Sequence, residues 1–197
     1  MDERKIINFF FELNQLKRER NTGFQLAGVN DPDSVAEHVM RGAQMAYVLA
    51  VLEGDADPER SAMIVLFHNN GKTRIGDQNK VAARYLFKQE AEEFTFMDQI
   101  EGMDGNVEDK LVEYHRQWRE RETKEGVIAR DADWLEQAFQ AKEYFDLGYG
   151  STKQFMDNVG EALETDSAKK IHHQMRKKNF TDWWDGLMRM TYKKLKE

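Results

Sequence analysis

The sequence predicts an all-α protein, a single helical bundle. Apolar residues recur at helical spacing through nearly the whole chain. The only two prolines, Pro32 and Pro58, each follow an aspartate, as at helix starts. No run of alternating residues between turn signals makes a strand.

Taken in order, the first helix is expected over Ile6 to Leu16, with Ile6, Phe9, Phe10, Leu13 and Leu16 on one face. Asp31-Pro32 leads into Ser34-Val35-Ala36-Glu37, whose Ser and Glu are spaced to satisfy each other's backbone N–H groups in a capping box. Val35, Val39, Ala43, Ala46 and Ala50 then mark a buried face, with His38 in the first turn. Asp57-Pro58 supplies an N-cap and a proline at the first helical position, where its missing N–H costs nothing. That helix is expected to run to about His68 and to stop on Asn70-Gly71 as a left-handed cap. Further helices are expected at about 86–102, 107–122, 125–147, 151–163, 166–178 and 181–195. The last carries Trp184, Leu187, Met188, Tyr192 and Leu195 on one stripe, which reads as a docking helix or dimer seam. With no linker, repeat or low-complexity tract, residues 1–197 read as one domain.

Composition narrows the function. With 40% hydrophobic and 33% charged residues, the chain reads as a globular protein rather than a disordered one. Its apolar stretches break off well before the roughly 20 residues a membrane span needs, so no membrane partner is expected. The opening Met1-Asp2-Glu3-Arg4-Lys5 lacks the layout of a secretory signal, and a cytoplasmic location is the expectation. The absence of cysteine excludes disulfides, thiolate metal sites and cysteine nucleophiles. A net charge of −7 argues against binding a nucleic-acid polymer through bulk electrostatics.

Chemistry-bearing residues gather where helices begin and end. His38 opens one helix, and His68 closes another just before Asn69-Asn70-Gly71. The stretch that follows holds Lys72, Arg74, Lys80 and Arg84 around Gly76-Asp77, while Arg18 and Arg20 precede a loop from Asn21 to Asp33. Imidazoles and a carboxylate offer ligands to a metal ion, and fixed cations suit phosphate oxygens.

The order Ser34-Val35-Ala36-Glu37-His38, Leu66-Phe67-His68-Asn69-Asn70-Gly71, Ile75-Gly76-Asp77 and Asp131-Ala132-Asp133-Trp134-Leu135-Glu136 resembles the HD phosphohydrolase superfamily. It is most similar to the branch holding bacterial 5′-deoxynucleotidases, over roughly residues 1–150. The resemblance implies an HD-domain helical bundle with core motifs in 34–136 and the helices of 151–197 packed on it. It also implies one divalent metal ion, cobalt, manganese or magnesium, held by His38, His68, the doublet position Asn69 and a distal aspartate. Asn69 stands where the family has aspartate, so its carbonyl can coordinate but adds no charge.

For the distal ligand the resemblance favours Asp133, in the Asp-x-x-Glu frame ending at Glu136, with Asp131 as fallback. Periodicity sets Asp131 among Ile128, Leu135 and Ala138, and Asp133 on the polar side with Gln137 and Gln140. Lys72 occupies a position where the branch has a glutamate that helps activate water; a lysine there is suited to gripping extra phosphate oxygens. Only His115 lies between the doublet and the distal aspartate, which points to one metal rather than two. His172 and His173 are expected at the surface.

The implied activity is metal-dependent hydrolysis of a nucleotide or nucleotide-analogue phosphate. Asn69, Lys72 and Asp77 would serve the chemistry, Asp77 by orienting water or a sugar hydroxyl. Arg18, Arg20, Lys72, Arg74, Lys80 and Arg84 would contact phosphate. Asn69 leaves open whether this chain is a weakened or inactive enzyme, or a nucleotide-binding sensor that does not hydrolyse. A homodimer is the expected assembly.

Overall fold

A computed structural model describes residues 3–187, and among them every regular element is helical, with one isolated bridge pairing Arg20 and Ser34. The first helix, α1 (Glu3–Leu13), runs through a 3₁₀ turn at Asn14–Lys17 to the short α2 (Thr22–Leu26). The next, α3 (Val35–Glu53), begins where the capping box requires. Ser34 Oγ accepts from Glu37 N at 3.2 Å, and the Glu37 carboxylate accepts from Ser34 N at 2.6 Å. It ends at Gly54, whose φ of +81° supplies the left-handed cap. In α4 (Pro58–Phe67), the Asp57 carboxylate accepts from Arg60 N at 3.0 Å ahead of Pro58.

The stop after α4 differs from the expected one. Gly71 is right-handed, with φ −56° and ψ −26°, and a turn through 68–71 leads directly into α5 (Lys72–Ile75). The left-handed glycine is Gly76, at φ +72°. Gly71 is small for another reason: a Cβ there would sit 2.3 Å from the Glu92 carbonyl oxygen. That oxygen belongs to α6 (Lys88–Ile100), which therefore lies tightly over the turn carrying His68 and Asn69.

The remaining helices are α7 (Gly105–Glu120), α8 (Lys124–Asp146), α9 (Lys153–Ala162) and α10 (Asp166–Met175), each within a few residues of expectation. The helix expected at 181–195 is not formed in its described part. Asp182–Trp184 makes a 3₁₀ turn, and Leu187 is exposed. Met188, Tyr192 and Leu195 lie outside the described residues.

Helices α3, α4 and α8 form the centre. Their core joins Ala46, Leu49, Ile64, Val65, Ile128 and Leu135, each burial worth about 1.5–3 kcal/mol for the larger side chains. Ala129, Ala132, Ala138 and Ala141 are fully buried along α8, so neighbours approach it from several sides. Gly42 brings α3 close to α4, since a Cβ there would lie 3.1 Å from Val65 Cγ1. Helices α9 and α10 dock on α8 through Val159, Leu163, Ala168 and Met175. Asp131 fastens that corner, accepting from Glu164 N at 3.0 Å, Thr165 N at 2.7 Å and Thr165 Oγ1 at 2.7 Å. His172 is buried rather than at the surface, its Nε2 donating to the Met156 carbonyl at 2.9 Å, while His173 is exposed. No helix among the described residues is long and apolar enough to cross a membrane.

Candidate metal centre

The three central helices deliver one candidate ligand each. His38 comes from the first turn of α3, His68 from the residue after α4, and Asp133 from the middle of α8. Their candidate donor atoms all lie within 4.8 Å of one another. His38 Nε2 is 2.9 Å and His68 Nε2 3.2 Å from the same oxygen, Asp133 Oδ1. The opposite ring nitrogens are spoken for. His38 Nδ1 bonds the Glu136 carboxylate, and His68 Nδ1 donates to the Val65 carbonyl at 2.5 Å. An imidazole that donates from Nδ1 presents a bare lone pair at Nε2. Facing a carboxylate oxygen, each such nitrogen needs either a proton or a metal cation between the two, and a divalent ion can take the place of the protons. The donor set therefore fits a divalent ion, bound by nitrogen and oxygen ligands.

Charge around the site has identifiable causes. Burial opposes a proton on His38, but Glu136 and Asp133 outweigh it and lift its pKa to about 10. Burial holds the His68 pKa down despite Asp133. Asp133 is pushed well below the usual carboxylate range because the two imidazoles outweigh its burial. Glu136, 1% exposed, is also held by Arg41, whose Nε donates to it at 2.8 Å and whose Nη2 lies 2.6 Å away while donating to Gln140 Oε1.

Asp133, not Asp131, faces the histidines; Asp131 is spent on the α9–α10 corner. Asp133 is buried rather than on a solvent-facing polar side, because α8 is enclosed on most of its circumference. Asn69 is buried beside His68 in sequence, and its Nδ2 has no hydrogen-bond partner among the described residues. Lys72 is buried with its Nζ 2.7 Å from Asp77 Oδ1, and its charged form is favoured because Asp77 and Glu92 outweigh the cost of burial. Asp77 Oδ2 accepts from Thr22 N and Thr22 Oγ1, both at 2.9 Å, so its oxygens are already engaged.

The other expected phosphate contacts are dispersed. Arg20 pairs with Asp31 at 3.2 Å, and Arg74 with Glu12 at 2.5 Å and with Asp98. Arg18, Lys80 and Arg84 are exposed. His115 is buried and stacked on Phe96 at 5.0 Å, with neither ring nitrogen hydrogen-bonded among the described residues. The sequence reading missed Lys88 and Arg130. Arg130 carried one faint signal, its place one turn before Asp133 on α8. Lys88 carried none.

A family model described as HD domain matches residues 13–176. The human protein called 5′-deoxynucleotidase HDDC2 is 28% identical over 164 residues, covering 79% of this chain and 77% of its own length. Its Bos taurus counterpart is 29% identical over 150 residues, 73% of this chain and 70% of that protein. A conserved hypothetical protein from Pyrococcus furiosus superposes with a TM-score of 0.73 at 28% identity, over 87% of this chain and 99% of that one. A structure described as a predicted metal-dependent phosphohydrolase from Magnetospirillum magnetotacticum shares the fold, with a TM-score of 0.63 at 16% identity over 88% of this chain and 90% of that one. With the family model spanning most of the chain and the His38, His68 and Asp133 triad assembled at its centre, this protein belongs to the HD-domain family.

Proposed function

We propose that this protein is a metal-dependent phosphohydrolase that removes phosphate from nucleotides at the His38, His68 and Asp133 site, with 5′-deoxynucleotides as the leading substrate class. The convergence of the His38 and His68 Nε2 atoms on Asp133 Oδ1 carries this reading, and the relatives named as 5′-deoxynucleotidases support it. The resident ion is cobalt, manganese or magnesium, all compatible with mixed nitrogen and oxygen ligation. Bound there, a divalent ion supplies Lewis acidity to a phosphoryl oxygen and to the attacking water.

The chain's own residues do the rest. Glu136 and the Val65 carbonyl fix the two imidazole rings, and Arg41 anchors Glu136. Asp77 holds the Lys72 ammonium in place, and Lys72 in turn neutralises charge on phosphoryl oxygens. Arg18, Arg20, Arg74, Lys80 and Arg84 are dispersed and are assigned no contact with the phosphoryl group. The proposed substrate class includes nucleotide analogues that carry the same phosphate. A cytoplasmic homodimer is the assembly proposed; exposed Met40, Val48, Val51 and Leu52 on α3 give it an apolar face.

Asn69 favours a second reading, a nucleotide sensor that binds without turnover, because the amide brings no negative charge to the ion. Phosphate release from deoxynucleoside mono-, di- and triphosphates, with each metal in turn, separates the two when the chain is compared with Asn69→Asp. Turnover by either protein, abolished by His68→Gln, supports the hydrolase. Tight nucleotide binding with no turnover by both establishes the sensor instead.

A further inference from the structure

Two cations outside the recognised motifs border the candidate centre: Arg130 of α8, 4.0 Å from Asp133, and Lys88 at the start of α6, beside Glu92 whose carbonyl packs over the turn after His68. The Arg130 guanidinium lies 4.0 Å above the Trp118 ring and 5.5 Å from Trp134. Trp118 itself rests 4.2 Å from the His68 ring, so the stack leads directly to the site. The Arg130 side chain is 21% exposed, yet it donates no hydrogen bond to a described residue. Its nearest carboxylate oxygen, Asp133 Oδ2, is 4.0 Å from Nη1, beyond hydrogen-bond reach, and its Nε is buried without a partner. Lys88 Nζ has one acceptor, the Gln78 carbonyl at 2.7 Å, and lies 3.7 Å from Glu92.

Glu92, 3.7 Å from Lys88, packs its carbonyl against Gly71, between Asn69 and Lys72, while Arg130 stands 4.0 Å from Asp133; both carboxylates favour the charged forms of the three cations. Asn69 Nδ2 adds a buried donor without a partner. Buried donors left unsatisfied cost about 1–3 kcal/mol each, more when charged. Once Asp133 is committed to a dication, the remaining carboxylates, Asp77 and Glu92, do not balance the three cations. A planar guanidinium stacked on indole keeps its edge free for paired bonds to phosphoryl oxygens.

We infer that Arg130, Lys88 and Asn69 form, with Lys72, the cradle that binds the substrate's phosphoryl group beside the metal ligands. This rests on the phosphohydrolase reading and assigns its phosphate recognition to residues of α6 and α8 rather than to the exposed arginines of the loops. The same donors hold the orthophosphate product.

Calorimetric titration of inorganic phosphate into the manganese-loaded protein tests this, with manganese affinity and thermal melting measured separately for each variant. Arg130→Gln is expected to weaken phosphate binding by about tenfold or more, and Lys88→Ala by several-fold, with manganese affinity within about threefold of the parent. Arg130→Lys keeps the charge without the fork and falls between parent and Arg130→Gln. Should Arg130→Gln fail to fold, Lys88→Ala decides alone. Unchanged phosphate affinity in the folded variants, beside a parent that binds phosphate and hydrolyses nucleotides, overturns the cradle and leaves the proposed function standing. A parent that neither binds phosphate nor hydrolyses nucleotides overturns both.

Discussion

Two imidazoles and one carboxylate at a buried point need positive charge between them, a proton or a metal ion, and the bonds at their far sides decide which atoms face inward. Asn69 enters this arrangement as a neutral neighbour. Replacing it with aspartate adds a charge where a cation is expected, so Asn69→Asp is predicted to tighten manganese binding by about tenfold or more. Equal affinity in both proteins would remove Asn69 from the ion's surroundings. Asp33 gives a separate, pH-dependent prediction. Burial and the repulsion of Glu136 raise its pKa from 3.8 to about 6, and its Oδ2 is buried without a partner. Because the folded pKa lies above the unfolded one, folding favours the protonated acid, and stability is lost as pH rises from about 4 to 6. In the metal-free protein, Asp33→Asn is therefore predicted to stabilise by on the order of 2 kcal/mol above pH 6 and by nothing below pH 4, read from urea unfolding at each pH. A gain that is the same at both pH values would show that charge is not its source.

At the scale of elements, the signals that proved legible were local ones. The Ser34–Glu37 box and Asp57-Pro58 fix where α3 and α4 begin because each needs only residues within one turn. Ser34→Ala is predicted to cost about 1 kcal/mol, measured by urea unfolding, since it removes the acceptor for Glu37 N. The misreading of Gly71 has a nonlocal cause. A glycine after a helix suggests a left-handed cap, but this one is demanded by α6, whose Glu92 carbonyl leaves no room for a side chain. Gly71→Ala is accordingly predicted to destabilise by about 1–3 kcal/mol through overpacking. A loss of a few tenths would mean that α6 shifts freely over the His68 turn. The expected helix over 181–195 failed in its described part for a related reason: a stripe of apolar residues makes a helix only when something covers it, and of the stripe's described members Trp184 is only half-buried and Leu187 is exposed.

The whole molecule brings together what no short window of sequence can. His38, His68 and Asp133 were legible as a set through the order of motifs, but helical periodicity gave the wrong setting for Asp133, because α8 has neighbours on most sides and lacks a solvent face there. Lys88 and Arg130 were not legible, since their approach to the centre depends on how α6 and α8 pack against the α4–α5 turn. If the three ligands bridge three helices, a bound ion ties the core together. Manganese at a hundredfold excess over its Kd then adds about 2.7 kcal/mol of stability, a thermal shift of several degrees that His68→Gln abolishes.

The most direct test of the central claim is calorimetric titration of manganese into the metal-free protein at neutral pH, beside Asp133→Asn and Asp131→Asn. Binding of one ion per chain, lost in Asp133→Asn and kept in Asp131→Asn, is the predicted result. An absence of binding by the parent, or binding indifferent to Asp133, would contradict the assignment of this site as a metal centre.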